Sequence, residues 1–226
     1  MKIGIIITGI VSDYFLDELI NQYIVCPYTK IISTWNDIDT TIIDKLKING
    51  FHVTQNFFPN DIHRNSVNYQ NLSAIKGIEY AEKIHFCTHV TRVRADMYCN
   101  NINLLLKIYQ DMYQEDKMIF LLHLHNYTPG YLIDYGHFGN IKDTLQYVGN
   151  FQLENDIRFP ELFRQDMCYN TNDFGIINTK VIYSGEKLLE NNIDFCFLKK
   201  EHHTDSRKDL INSYIEYNNL YGFYSF

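Results

Sequence analysis

The chain opens with Met1-Lys2-Ile3-Gly4-Ile5-Ile6-Ile7-Thr8-Gly9-Ile10-Val11-Ser12-Asp13, and this stretch decides the fold. Residues 3–10 form an Ile-rich run ending at Thr8-Gly9, as in a strand buried on both faces that meets a turn. The run is short for an export signal, and Asp13 follows without a small-x-small cleavage site. Asp13 is expected to cap a helix through about Ile24, with Phe15, Leu16, Leu19, Ile20 and Tyr23 as its apolar stripe. A second strand over 30–34 stops at Trp35-Asn36-Asp37. A helix over 40–48 ends at Asn49-Gly50, and a third strand follows over 51–55. This βαβαβ opening predicts an α/β protein with a mostly parallel central sheet flanked by helices. Its crossovers should be right-handed, with a nucleotide site at the carboxyl ends of the strands.

Downstream, residues 59–65 read as a loop, 68–84 as a helix, 88–93 as a strand, 102–113 as a helix and 118–122 as a strand. The Tyr-, His- and Gly-rich stretch 123–139 resembles a site-forming segment more than a regular element. Further helices are expected over 142–148, 161–169, 179–190 and 209–217, with a strand over 194–198. The chain shows no internal repeat or low-complexity linker and holds only four Pro, so one domain over 1–226 is expected.

At 226 residues such a chain buries roughly 70% of its unfolded surface and needs no staples. With 21% charged and 46% hydrophobic residues, it falls in the globular class. A net charge of −7 argues against a general nucleic-acid binder, which needs a basic face for phosphates. The five Cys lack any CxxC spacing, which points to small apolar side chains in a reducing, cytoplasmic setting. No stretch approaches the ~20 apolar residues of a membrane span.

Thr91-Arg92-Val93-Arg94-Ala95-Asp96 places two guanidiniums and a carboxylate at the end of an expected core strand. A carboxylate there suits Mg²⁺ or Mn²⁺, and arginines suit phosphate oxygens. The spacing alone favours a structural Arg–Asp ion pair. Thr8-Gly9 and Ser33-Thr34-Trp35 end the first two strands. There, Gly permits close backbone approach, while Trp35 either packs near a base or lids the core. His123, His125, Asp134 and His137 cluster in one segment without an HExxH spacing, so a metal site, a general base and a polar loop all stay open. His202-His203 follows the last expected strand and reads as solvated or as a late ligand. GxGxxG, GxxxxGK[ST] and GxSxG are all absent.

Four stretches together resemble the WavE-type glycosyltransferases of bacterial lipopolysaccharide synthesis and related small glycosyltransferases of large DNA viruses. They are Thr8-Gly9-Ile10 with Ile32-Ser33-Thr34-Trp35; Asn68-Tyr69-Gln70-Asn71 through Lys76-Gly77 and Ala81; Arg92-Val93-Arg94-Ala95-Asp96-Met97; and Asp134-Tyr135-Gly136-His137-Phe138-Gly139 with a later Pro160-Glu161. Their order extends over about three-quarters of the chain. The resemblance implies a single GT-A-like domain, with a Rossmann-like nucleotide-sugar-binding half (1–97) and an acceptor-binding half (98–226). It implies transfer of a sugar from a nucleotide-diphosphate donor, UDP-sugar favoured, to a glycan hydroxyl.

Carried over by position, Asp96 would bind Mn²⁺ or Mg²⁺ or the donor sugar. Arg94 stands where such enzymes carry the first Asp of DxD, leaving fewer protein ligands for a metal or removing the need for one. Thr8, Gly9, Ser33, Thr34 and Trp35 would line the nucleoside side, and Arg64, Asn68 and Arg92 would contact ribose or phosphate. Asp134 would be the catalytic carboxylate, and His137 would face the acceptor. Tyr69 replaces a usual Arg, and Tyr135 a usual Trp. One rival is a nucleotidyltransferase, which should carry a Gly-rich basic loop after the first strand; residues 8–13 have none. Another is a carbohydrate-binding module, which would take sugar without nucleotide.

Overall fold

The computed structural model describes residues 1–58, 66–115, 117–122, 132–149, 181–193 and 195–197. The expected loop at 59–65 and the expected helices at 161–169 and 209–217 lie outside them. The elements in chain order are β1 (Ile3–Thr8), a 3-10 turn (Asp13–Phe15), α1 (Leu16–Tyr23), β2 (Thr29–Trp35), α2 (Thr40–Ile48), β3 (His52–Asn56) and α3 (Ser66–His85). There follow β4 (His89–Arg94), β5 (Met97–Cys99), α4 (Ile102–Met112), β6 (Met118–Leu122), β7 (Leu132–Asn140), α5 (Ile141–Gly149), β8 (Val181–Tyr183), α6 (Gly185–Glu190) and β9 (Phe195–Phe197).

Among the described residues, seven strands form one sheet in the order β3-β2-β1-β4-β7-β6-β8, and β5 pairs with β9 in a separate ribbon. β1 runs parallel to β2 and β4, and β2 parallel to β3. β7 is antiparallel to both of its neighbours, and β8 parallel to β6. Every residue of β1 is buried, as its unbroken Ile run requires of a central parallel strand. Its side chains divide between two layers. Ile5 and Ile7 pack in a cluster with Leu19 of α1, Leu46 of α2 and Leu106 of α4. Ile6 faces the other way, into a cluster with Ala74 and Ile78 of α3 and Val148 of α5. The sheet is thus sandwiched between helices. Among the described residues, no helix is long and apolar enough to cross a membrane.

The local signals explain the element ends. Ser12, not Asp13, caps the first turn, its Oγ accepting from Tyr14 N at 3.3 Å. Asp39 caps α2 through Thr41 N at 2.8 Å, which holds its carboxyl below the usual carboxylate range. α2 stops where Gly50 takes φ +80° and Phe51 N donates back to Leu46 O at 3.1 Å, a closure that favours Gly. Cys26, Cys87 and Cys99 are buried, as expected of small apolar side chains.

Two sequence expectations are corrected. Of the stretch 123–139, expected to be irregular, residues 123–131 lie outside the described residues and 132–139 belong to β7, between β4 and β6. Gly139 helps it fit there, since a Cβ at that position would lie 3.1 Å from Met118 Cγ and 3.2 Å from Thr144 Oγ1. The expected helix over 179–190 is instead β8 followed by α6. β-branched Val181-Ile182 joins the sheet edge beside β6, and the helix starts only after Ser184.

α3 lies tightly on the sheet. A Cβ on Gly77 would collide with Ile6 Cγ2 and sit 3.0 Å from Ser33 Cβ. Close packing leaves no room for that methyl, so Gly77→Ala should cost on the order of 1–3 kcal/mol. For a chain of this length the midpoint should fall by roughly 2–12 °C, measured by thermal denaturation. An unchanged midpoint would contradict this helix placement.

At the opposite end of the strands, burial holds the imidazoles of His85 and His89 below the ordinary histidine pKa of 6.5. His52 and Lys2 add to the effect at His85, and the N-terminal ammonium adds at His89. The unfolded chain then binds more protons than the folded one below about pH 6.5, so stability falls as pH drops through that value. Thermal melts from pH 7 to 5 should show this decline, and His85→Gln combined with His89→Gln should flatten it.

Candidate active site

The carboxyl ends of β1, β2 and β4 and the first turns of α3 enclose a cavity of about 390 Å³, within the range of small-ligand sites. β1 contributes Thr8, followed by Gly9 and Ile10. β2 contributes Trp35, α3 contributes Tyr69, Gln70 and Ser73, and the end of β4 contributes Arg92, Arg94, Ala95 and Asp96, with Phe15 at the rim. Gly9 takes φ +118°, so the chain turns away from β1 in a conformation that disfavours other residues.

Arg92 is among the largest fully buried side chains, only 1% exposed, yet it reaches the cavity wall. Its Nε donates to Thr8 Oγ1 at 3.0 Å, and the Thr8 hydroxyl donates to Val93 O at 3.3 Å. Arg94 ends β4, and β5 begins at Met97 after a link of two residues. Asp96 occupies that short link, where Arg94 grips it in a fork: Nε to Oδ1 at 2.8 Å and Nη2 to Oδ2 at 2.7 Å. The pair is partly buried, with side-chain exposures of 27% and 13%. This bidentate geometry is the strong form of the Arg–carboxylate contact. Across the cavity, Trp35 stacks on Phe58 with ring centroids 4.8 Å apart and meets Tyr69 edge-on at 5.5 Å. Among the described residues, one wall therefore presents Arg92, Arg94 and Asp96, and the facing wall is aromatic.

Thr8, Gly9, Trp35, Arg92, Arg94 and Asp96 all line this cavity. Ser33 and Thr34 do not line the cavity; both are buried. Ser33 Oγ donates to Ser73 O at 2.6 Å and Ser73 Oγ to Ser33 O at 2.7 Å, fastening α3 to β2. Asn56 Nδ2 ties the same strand end through Ser33 Oγ and Thr34 O. His137, expected to face an acceptor, is 0% exposed and packs its ring against Tyr147 of α5. It pairs in the sheet with Arg92, well inside β7. Asp134 lies in β7 two positions before Gly136, which pairs with Val93. Its backbone therefore runs beyond the same end of β4 that carries Arg94. Asn68 lies in the first turn of α3. The side chains of Asp134 and Asn68, and the whole of Arg64, His123, His125, His202 and His203, are outside what the structure describes. Tyr69, Gln70 and Ser73 were not read as site residues. Their signal was position alone, at the start of a long helix packed on the strand ends.

A cation at Asp96 would have to share its oxygens with the Arg94 fork. Both Asp96 oxygens accept from Arg94. Among the described residues, no group of three His, Cys, Asp or Glu is placed to hold a metal.

No protein-family profile matches the sequence, and no curated protein does. The WavE-type resemblance therefore finds no support at the level of sequence. Solved structures do match. A cytidylyltransferase from Leptospira borgpetersenii is similar at TM-score 0.50 and 14% identity, covering 100% of this chain and 99% of that one. The 4-diphosphocytidyl-2C-methyl-D-erythritol synthase of Anaerococcus prevotii is similar at TM-score 0.51 and 12% identity, covering 80% and 86%. A glycosyltransferase involved in glycosylation of the major capsid of PBCV-1 scores 0.46 at 11% identity, covering 81% of each chain, a likeness too low to argue from. The chain has the α/β fold of the two cytidylyl enzymes.

Trp35 is the only Trp in the sequence and lines the cavity. Occupancy by a nucleotide should therefore change the intrinsic fluorescence at 295 nm excitation in a saturable way, and Trp35→Phe should abolish the signal. A saturable ligand that leaves Trp35 emission untouched binds elsewhere.

Proposed function

We propose that the chain is a glycosyltransferase that moves a sugar from a nucleotide-diphosphate donor, UDP-sugar favoured, to a glycan hydroxyl. The observation that carries the reading is the cavity's division: Arg92 and Arg94 on one side, Trp35 and Tyr69 on the other, with Thr8-Gly9 between. An aromatic wall suits a base, and guanidiniums suit a diphosphate. In the reaction, the bond between the sugar's anomeric carbon and the diphosphate oxygen breaks, and its electron pair leaves with the diphosphate. Charge builds on that leaving group, and preorganised arginines facing it lower the barrier most effectively. The acceptor oxygen bonds to the anomeric carbon and gives its proton to a base. Asp134 is the proposed base in an inverting reaction, and the departing diphosphate itself serves in a retaining one.

Nucleotidyl transfer is the second reading, favoured by the shared fold with the two cytidylyl enzymes. It requires attack on the α-phosphorus of a nucleoside triphosphate. A basic, Gly-rich loop after β1 would normally hold that triphosphate. Residues 9–12 here are Gly9-Ile10-Val11-Ser12, without a Lys or Arg, and this weighs toward the glycosyl reading.

The two readings separate in one assay. The protein is incubated with a panel of UDP-, GDP- and CMP-sugars plus glycan acceptors, and in parallel with nucleoside triphosphates plus sugar 1-phosphates. Acceptor-dependent release of nucleotide is expected in the first set, reduced roughly 100-fold by Arg94→Gln. Pyrophosphate release in the second set, with the first silent, would replace glycosyl with nucleotidyl transfer.

A further inference from the structure

We infer that Gln70 reads the base of the nucleotide, pairing its carboxamide with the imide edge of uracil or thymine, and so sets which nucleotide the site accepts. The inference rests on the nucleotide reading above and names the part of the ligand that the aromatic side of the cavity recognises. Gln70 lies in the early turns of α3 and lines the cavity beside Tyr69. Three residues on, almost one helical turn, Ser73 is bonded both ways to Ser33 of β2, the strand that ends at Trp35. Gln70 therefore belongs to the Trp35 side of the cavity. The order β2-β1-β4 puts one strand between that side and the strand end that carries Arg94.

Gln70 is distinguished by an unmade bond. Among the described residues of the cavity wall, its Oε1 is a buried acceptor without a hydrogen-bond partner. The hydroxyls nearby are engaged within the protein, Thr8 with Arg92 and Val93, and Ser73 with Ser33. A buried acceptor without a donor is costly, and native proteins keep few of them. A ligand that brings an N–H into the cavity meets that need. The last torsion of a Gln side chain is broad, so the carboxamide can turn to present Oε1 as acceptor and Nε2 as donor side by side. A flat ring lying against the aromatic wall offers its edge to such a group. The imide of uracil or thymine holds one N–H between two carbonyl oxygens. That N–H donates to Oε1 while either carbonyl accepts from Nε2, so the ring pairs whichever face it turns to the wall. Cytosine and guanine match the amide in one orientation only.

The imide N–H and the carboxamide should be energetically coupled, which a double-substitution cycle measures. UDP, dTDP, CDP, GDP and 3-methyl-UDP, which lacks the imide N–H, are titrated calorimetrically into the full chain with Mg²⁺ present. The wild type is compared with Gln70→Ala and Gln70→Glu, each checked for folding by its thermal midpoint. UDP or dTDP should bind tightest, and the tighter of the two identifies the base. The methyl group should weaken wild-type binding roughly 5- to 100-fold, the weight of a two-bond amide–base pair. Gln70→Ala should weaken UDP by a similar factor yet leave 3-methyl-UDP no weaker than in the wild type. Gln70→Glu offers acceptors only, so preference should move from UDP toward GDP, whose base presents two adjacent N–H donors. CDP or GDP binding tightest to the wild type would overturn the inference while leaving the nucleotide site standing. So would a Gln70→Ala variant that binds UDP as the wild type does, or that loses UDP and 3-methyl-UDP equally. Absence of binding by every nucleotide in every variant would overturn both the inference and the reading beneath it.

Discussion

The Thr8 hydroxyl, accepting from Arg92 Nε and donating to Val93 O, ties the carboxyl ends of β1 and β4 together. Much of the site hangs from that tie. A guanidinium stays charged at any ordinary pH, and burying it is costly without hydrogen-bond partners. Arg92 must therefore be held, and holding it sets the position of the strand end that carries Arg94, Ala95 and Asp96. The backbone follows the same line, with Ala95 N donating to Thr8 O at 2.8 Å. The wall that carries Arg92, Arg94 and Asp96 is thus built into the sheet.

The opposite wall depends on how closely α3 can approach. Gly77 brings the helix against Ile6 and Ser33, and the reciprocal Ser33–Ser73 bonds lock its height and rotation. That seat places Tyr69, Gln70 and Ser73 over the strand ends, and Tyr69 in turn braces Trp35 and Phe58. A small residue and a pair of mutually bonded hydroxyls therefore shape the space in which a ligand would sit. Packing and chemistry are coupled here through a single helix.

Much of this was legible in the sequence, for identifiable reasons. The Ile run of β1, the Asn49-Gly50 stop of α2, and the strand leading into Arg94 each carry a local physical signal, and each appears close to its expected bounds. Strand ends converge in a parallel sheet, so Thr8, Gly9, Trp35, Arg92, Arg94 and Asp96 could be gathered from topology alone. β7 was hidden because its Gly, His and Tyr content reads as irregular until the sheet supplies neighbours on both sides. His137 looks like a site residue by type, and only its place between β4 and β6 shows that it is buried. Ser33 looks like a ligand contact for the same reason, being a polar group at a strand end, and it serves as an internal fastener instead. The Arg94-Ala95-Asp96 spacing was compatible with a metal ligand and with an ion pair; side-chain geometry, which no spacing contains, favours the pair.

The most direct test of the account is a crystal structure of the protein grown with UDP. The account predicts the base beside Trp35 and Tyr69, with diphosphate oxygens within about 3 Å of the Arg94 guanidinium. UDP bound outside the β1–β4 crevice, or lying within it with its diphosphate directed away from Arg94, would contradict the account.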